Sequence, residues 1–175
     1  DDWADAAGVL ALHRLQVIDM RARTTATRAV STWRVTSAFG EPPDAQRIAV
    51  DLRRVVNGTL DIKDRLRRRE NSFEASPDTP APRVVVVPGA SESATVIEVR
   101  AADSAGLLHR LLRAVEGVEA TIRAAKVSTL GQDVVDVFYL VGEDGQVLSS
   151  PATEALRSSL IEAAQVPLPA QPVDG

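Results

Sequence analysis

The sequence predicts an α+β protein built from two βαββαβ units in tandem, the first without its opening strand. Three observations carry this prediction. Short alternating or apolar runs and stretches of helical periodicity follow one another in a repeated order. Shifted by 105 residues, the chain overlays on itself without a gap: Val17 falls on Ile122, Arg21 on Lys126, Thr24 on Thr129, Val30 on Val135, Trp33 on Phe138 and Val35 on Leu140. Between the copies lies SPDTPAP at 76–82, a linker by composition. The expected layout is a first unit over 1–75, the linker over 76–82 and a second unit over 83–175.

The first copy opens in a helix over 3–14, followed by strands over 17–24 and 28–37 and a helix over 43–56 stopped by Asn57-Gly58. Residues 59–71 carry KDRLRRRE and read as a polar, solvated helix with internal ion pairs, since Asp61, Asp64 and Glu70 flank the basic run. RVVVVP at 83–88 is a short apolar strand that must pair somewhere.

The second copy is the more complete. ATVIEVRA at 94–101 alternates as a strand, and a helix follows over 105–116, ended near Gly117. Strands are expected over 120–129 and, as the nearly all-apolar VVDVFYLV, over 134–141, joined by a turn at 130–133. Glu143-Asp144-Gly145 breaks the last of these, and a helix runs over 152–165 behind Pro151. The proline-rich tail allows an edge strand near Val166 at best. Strand–helix–strand–strand–helix–strand is the order of ferredoxin-like folds. Their helices cover one sheet face, and two copies can protect each other side by side.

Composition narrows the function. The chain has 175 residues, 45% hydrophobic, with a net charge of -4 and no cysteine. Thiolate chemistry, disulfides and cysteine metal sites are excluded, and bulk charge does not draw the chain to nucleic acid or acidic membranes. RNA-recognition folds share the element order but need exposed strand aromatics, and aromatics are 3% here. His13 and His109 stand on separate helices with no metal or catalytic spacing around them. Neither GxSxG nor a glycine-rich phosphate loop occurs. No catalytic motif is recognised in the stretch, and no metal or cofactor is expected.

One segment invites a ligand. In ADSAGLLHRLL, Gly106 falls in the first turn of a helix, where alanine is preferred. With Ser104 as N-cap, a side-chain-free Gly106 leaves backbone N–H groups open to an anion or carbonyl, while Asp103 can hold an ammonium group. Both together suit an amino acid. The plain alternative is an ordinary capped helix whose glycine serves close packing. On the ligand reading, Gly106→Asp abolishes binding and leaves helical content near normal. Asp136, acidic inside VVDVFYL, needs a partner if buried. It either pairs across an interface on the open sheet face, together with Phe138, or meets a ligand, or is solvated.

DSAGLLHRLLRAVEGVEATIRAAKVSTLGQDVVDVFYLVGEDG resembles an ACT domain, specifically the last one of the family of PII uridylyltransferase/uridylyl-removing enzymes. Asp103, Gly106, Leu107 and Leu108 match that family's D-R-P-G-L-L. Ile122, Ala125, Lys126 and Thr129 match its I-x-x-A-K-I-x-T, and 135–139 match V-x-D-V-F-Y. The first copy looks like the preceding ACT domain, cut at its start. The resemblance implies a cytoplasmic C-terminal sensor of glutamine under nitrogen control. It would be attached to nucleotidyltransferase and phosphohydrolase domains of the same polypeptide that modify the signalling protein PII. It places the ligand at Asp103, Ser104, Ala105, Gly106 and Leu107, with Thr129. Ser104 and Ala105 replace the family's Arg-Pro. In the first copy the glycine position falls on Asp1, which suits a structural role better than a carboxylate site. The rival reading is a ligand-free dimerisation or domain-docking module.

Overall fold

The computed structural model describes residues 3–24, 28–70, 79–118, 120–130 and 132–165. The elements are α1 (Trp3–Leu12), β1 (Leu15–Thr24), β2 (Ala29–Ser37), α2 (Ala45–Val56), α3 (Ile62–Glu70), β3 (Arg83–Val86), β4 (Thr95–Ala102), α4 (Leu107–Glu116), β5 (Ala120–Leu130), β6 (Asp133–Gly142) and α5 (Ser150–Ala164). The six strands form one sheet in the order β2-β1-β5-β6-β4-β3, every neighbouring pair antiparallel. The class is therefore α+β, with two ferredoxin-like units joined edge to edge. The expected tail strand near Val166 and part of the turn at 130–133 lie outside the described residues.

The repeat is written into the hydrogen-bond register. The β1–β2 pairing slips between Val17 and Asp19, and the β5–β6 pairing slips between Ile122 and Ala124, positions that the 105-residue shift superimposes. Leu15↔Ser37 and Asp19↔Arg34 in the first hairpin correspond to Ala120↔Gly142 and Ala124↔Tyr139 in the second. Bulges at matching positions give both hairpins the same local kink. The joint between copies obeys the same relation. Asp19 pairs with Lys126, Met20 with Ala125 and Arg21 with Ala124, so Met20 faces its own counterpart. A pseudo-two-fold axis passes between Met20 and Ala125, both fully buried.

The helices follow the axis. His109 is the counterpart of Ala4, and its Nδ1–H donates to the Ala4 carbonyl at 2.7 Å. Arg113 of α4 pairs with Asp5 of α1. Gly8 is needed at this crossing: a Cβ there would meet Ile62 Cγ1 at 2.7 Å and His109 Nδ1 at 3.0 Å. One core serves both copies, with Trp3, Ala4, Ala7 and Met20 from the first and Ile97, Leu111, Leu112, Phe138, Leu140, Leu156 and Leu160 from the second. Each large side chain buried there contributes about 1.5–3 kcal/mol.

One segment departs from the sequence expectation, and another finds the partner that the sequence left open. The basic run forms α3, whose Asp64 does pair with Arg67 and Arg68 at 2.8 and 2.9 Å. The helix is amphipathic, however. Ile62 and Leu66 are buried in a second core with Val9, Val55 and Leu60. Arg69 donates to the carbonyls of Ala11 and Leu12, at the C-terminal end of α1. The other segment, RVVVVP, supplies β3, which flanks β4 and packs under α5. It fills the edge that a βαββαβ order assigns to a strand after α5.

Candidate functional site

The pairing of the copies creates a cavity of about 320 Å³ on the helix side of the sheet. The β4–α4 loop and the start of α4 form one wall, through Asp103, Ser104, Ala105, Gly106, Leu107, Leu108 and His109. The first copy forms the other, through Ala7, Ala11, Arg14, Leu15, Gln16, Val17, Ala38, Phe39 and Arg69. Val127, Thr129, Val134 and Asp136 of β5 and β6 form the floor. All six expected ligand residues thus line one space, together with Asp136. Its size is at the lower end of the roughly 300–1,000 Å³ usual for small-molecule sites.

The helix start differs from the expected one. Gly106 itself holds the N-cap position of α4, with φ +78 and no side-chain cap. Ser104 lies before the left-handed turn. Its carbonyl accepts the Leu107 N–H at 3.1 Å, and its hydroxyl accepts from Arg110 Nη2 at 2.9 Å. The chain needs glycine at 106 for that backbone and also for contact, because a Cβ would meet Leu66 Cδ1 at 3.0 Å. Substitution of Gly106 therefore strains the backbone and its contact with Leu66, a cost that the expectation of near-normal helical content for Gly106→Asp leaves out. Leu66 covers this glycine while the adjoining cavity stays open.

Asp103 stands exposed at the cavity mouth. Partial shielding from water raises its carboxyl above the ordinary value, opposed by a backbone hydrogen bond from Ser104. Its own N–H donates to the Gln132 carbonyl at 2.8 Å, tying the loop to the turn before β6.

Asp136 is the unusual group. It pairs with Val99 and Val127 in the sheet and faces the helices, which rules out two of the three alternatives, an interface on the open sheet face and solvent exposure. It is 1% exposed, and neither carboxyl oxygen has a hydrogen-bond partner. Burial, then the charge of Asp103, pushes its pKa up to about 7. Its counterpart Ser31 is satisfied locally, accepting from Trp33 Nε1 at 2.7 Å. Phe138, expected beside Asp136 at an interface, is fully buried in the shared core between Ile97 and Ala125.

The first copy completes this cavity, through strand residues Leu15, Gln16 and Val17 and through two arginines that sequence reasoning did not single out. Arg14 and Arg69 bring positive charge to a cavity whose lining also includes Asp103 and Asp136, and Arg14 takes a left-handed φ of 58. The hollow related by the pseudo-two-fold is different in kind. It is lined by Trp3, Val115, Glu116, Ala120, Thr121, Ile122 and Glu143.

The chain is 44% identical over 163 residues to a bifunctional uridylyltransferase/uridylyl-removing enzyme of Streptomyces coelicolor, which covers 85% of this chain and 19% of that protein. The chain is homologous to one segment of these enzymes. Proteins of the same description from Mycobacterium tuberculosis and Rhodospirillum rubrum are each 32% identical, over 76% and 93% of this chain. The chain spans 18% of the length of each of those two relatives. No protein-family model matches it. No helix among the described residues is long and apolar enough to cross a membrane.

Proposed function

We propose that this chain is a tandem ACT-type regulatory module that binds an amino acid in the cavity between its two copies. The carrying observation is that Asp136, whose buried carboxyl has no partner, lines the same cavity as the start of α4 and the loop from Asp103. A zwitterion answers both needs. Its ammonium group supplies the donors that Asp136 lacks. Its carboxylate suits the positive end of α4 and the guanidinium groups of Arg14 and Arg69. Glutamine is the amino acid the family resemblance assigns. The homologous enzymes are uridylyltransferase/uridylyl-removing enzymes by name. In this reading the module reports glutamine to those activities, acting on PII.

Because the cavity walls come from both copies, a ligand there contacts both at once. Binding favours the packing in which the walls stand at ligand distance, and that difference in affinity is what reaches attached domains. The hollow on the other side, with Trp3, Glu116 and Glu143, is unsuited to a carboxylate, which supports one ligand site shared by the two copies rather than one in each.

Thermal unfolding with and without millimolar glutamine tests the reading. A ligand bound only to the folded state raises the midpoint in proportion to ln(1 + [L]/Kd). A midpoint unmoved by any of the common amino acids, but dependent on protein concentration, would favour the ligand-free docking module instead.

A further inference from the structure

We propose that Asp136 is the cation anchor of the cavity: it meets the ligand's α-ammonium group as a carboxylate, and its proton passes to the solvent when the ligand binds. This rests on the cavity being an amino-acid site and adds the chemistry by which it selects. In the unliganded protein both oxygens of Asp136 are buried without a donor. No protein donor among the described residues holds a negative charge there. The carboxyl is therefore substantially protonated near neutrality. An ammonium group reverses this balance, since a carboxylate paired with a cation in a shielded site gains both charge attraction and hydrogen bonds.

The surrounding groups fix the sign. Asp103 at the mouth favours the protonated form of Asp136 and adds attraction for a cation. Arg14 and Arg69 face the cavity from the first copy, and His109 faces it from α4. Burial holds His109 below its ordinary pKa, so it adds no positive charge at neutral pH. The two arginines attract the ligand's carboxylate end, so the site orients a zwitterion rather than collecting any cation. The 2-oxo and 2-hydroxy acids of the same skeleton lack the ammonium group and should be rejected, because they leave Asp136 unpaired.

Calorimetric titration of the whole chain with glutamine, in two buffers of different protonation enthalpy, reads the released proton directly. Release of about half a proton per site at pH 7, rising toward one at pH 6, is expected, with affinity falling about tenfold from pH 8 to pH 6. Asp136→Asn should release no proton and bind about tenfold or more weakly, with no pH dependence over that range. Binding heats independent of buffer, or wild-type affinity in Asp136→Asn, overturn the anchor and leave the amino-acid reading standing. If the variant does not fold, the two-buffer result for the wild type decides alone. Proton release with a different amino acid upholds the anchor and removes glutamine. No binding by any amino acid removes both.

Discussion

Replacing Asp136 with asparagine should make the unliganded protein more stable at high pH while making it a worse receptor. In the folded chain the carboxyl titrates near 7, against an ordinary value of 3.8. Between these values the folded state keeps a proton that the unfolded state has lost. Stability then falls as pH rises, by about 1.4 kcal/mol per pH unit. The loss is complete above the folded value and amounts to about 4 kcal/mol. Asparagine cannot ionise and removes this term. It also leaves a buried amide without partners, at a cost of about 1–3 kcal/mol. That cost is the same at every pH, so the decisive quantity is the difference between two measurements. Urea unfolding of both proteins at pH 4 and pH 8 gives it. The advantage of Asp136→Asn over wild type should grow by about 4 kcal/mol from the lower pH to the higher, equivalent to about 8–16 °C in midpoint. Asp103 and His109 titrate in both proteins and largely cancel. Parallel stability curves would refute the reasoning, because they would mean that the carboxyl is solvated or partnered in the folded state.

The helix crossing and the loop supply further predictions. Gly8→Ala puts a Cβ within 2.7 Å of Ile62 Cγ1 and should destabilise by about 1–3 kcal/mol in spite of alanine's helix preference, and this cost should shrink when it is measured in an Ile62→Ala background; thermal midpoints of the two single variants and the double variant measure it. Gly106→Ala must hold a left-handed φ of +78 and displace Leu66, so a loss of at least about 1–2 kcal/mol is expected in denaturant unfolding, with weaker ligand binding. Burial holds His109 below its ordinary 6.5, so the folded state resists protonation that the unfolded state accepts. Stability should therefore fall as pH drops below about 6.5, and His109→Gln should flatten that part of the profile, measured by urea unfolding across pH 5 to 7.

The sequence carried the element order because both signals it needs are local. Leu107, Leu111, Leu112 and Val115 mark one helix face, and Val134, Asp136, Phe138 and Leu140 mark one strand face. The 105-residue shift was legible for the same reason, and its physical meaning, matching bulges and a pseudo-two-fold at Met20, required the register. What stayed hidden depends on contacts between copies. Ser104 has the chemistry of an N-cap, but the turn at Gly106 starts the helix later and frees Ser104 for Arg110. Charge counting made α3 a solvated helix, yet two apolar residues, Ile62 and Leu66, seat it against Gly8 and Gly106. Alternation places Asp136 with Phe138 and so predicts burial, but not that its face meets a cavity completed by Arg14 and Arg69 from another part of the chain.

A crystal structure of this chain grown with glutamine tests the central claim most directly. The account predicts electron density for one molecule between the Asp103 loop and the Arg14 wall, its ammonium group in hydrogen-bond contact with Asp136. A cavity left empty at saturating glutamine, or glutamine bound elsewhere, would contradict it.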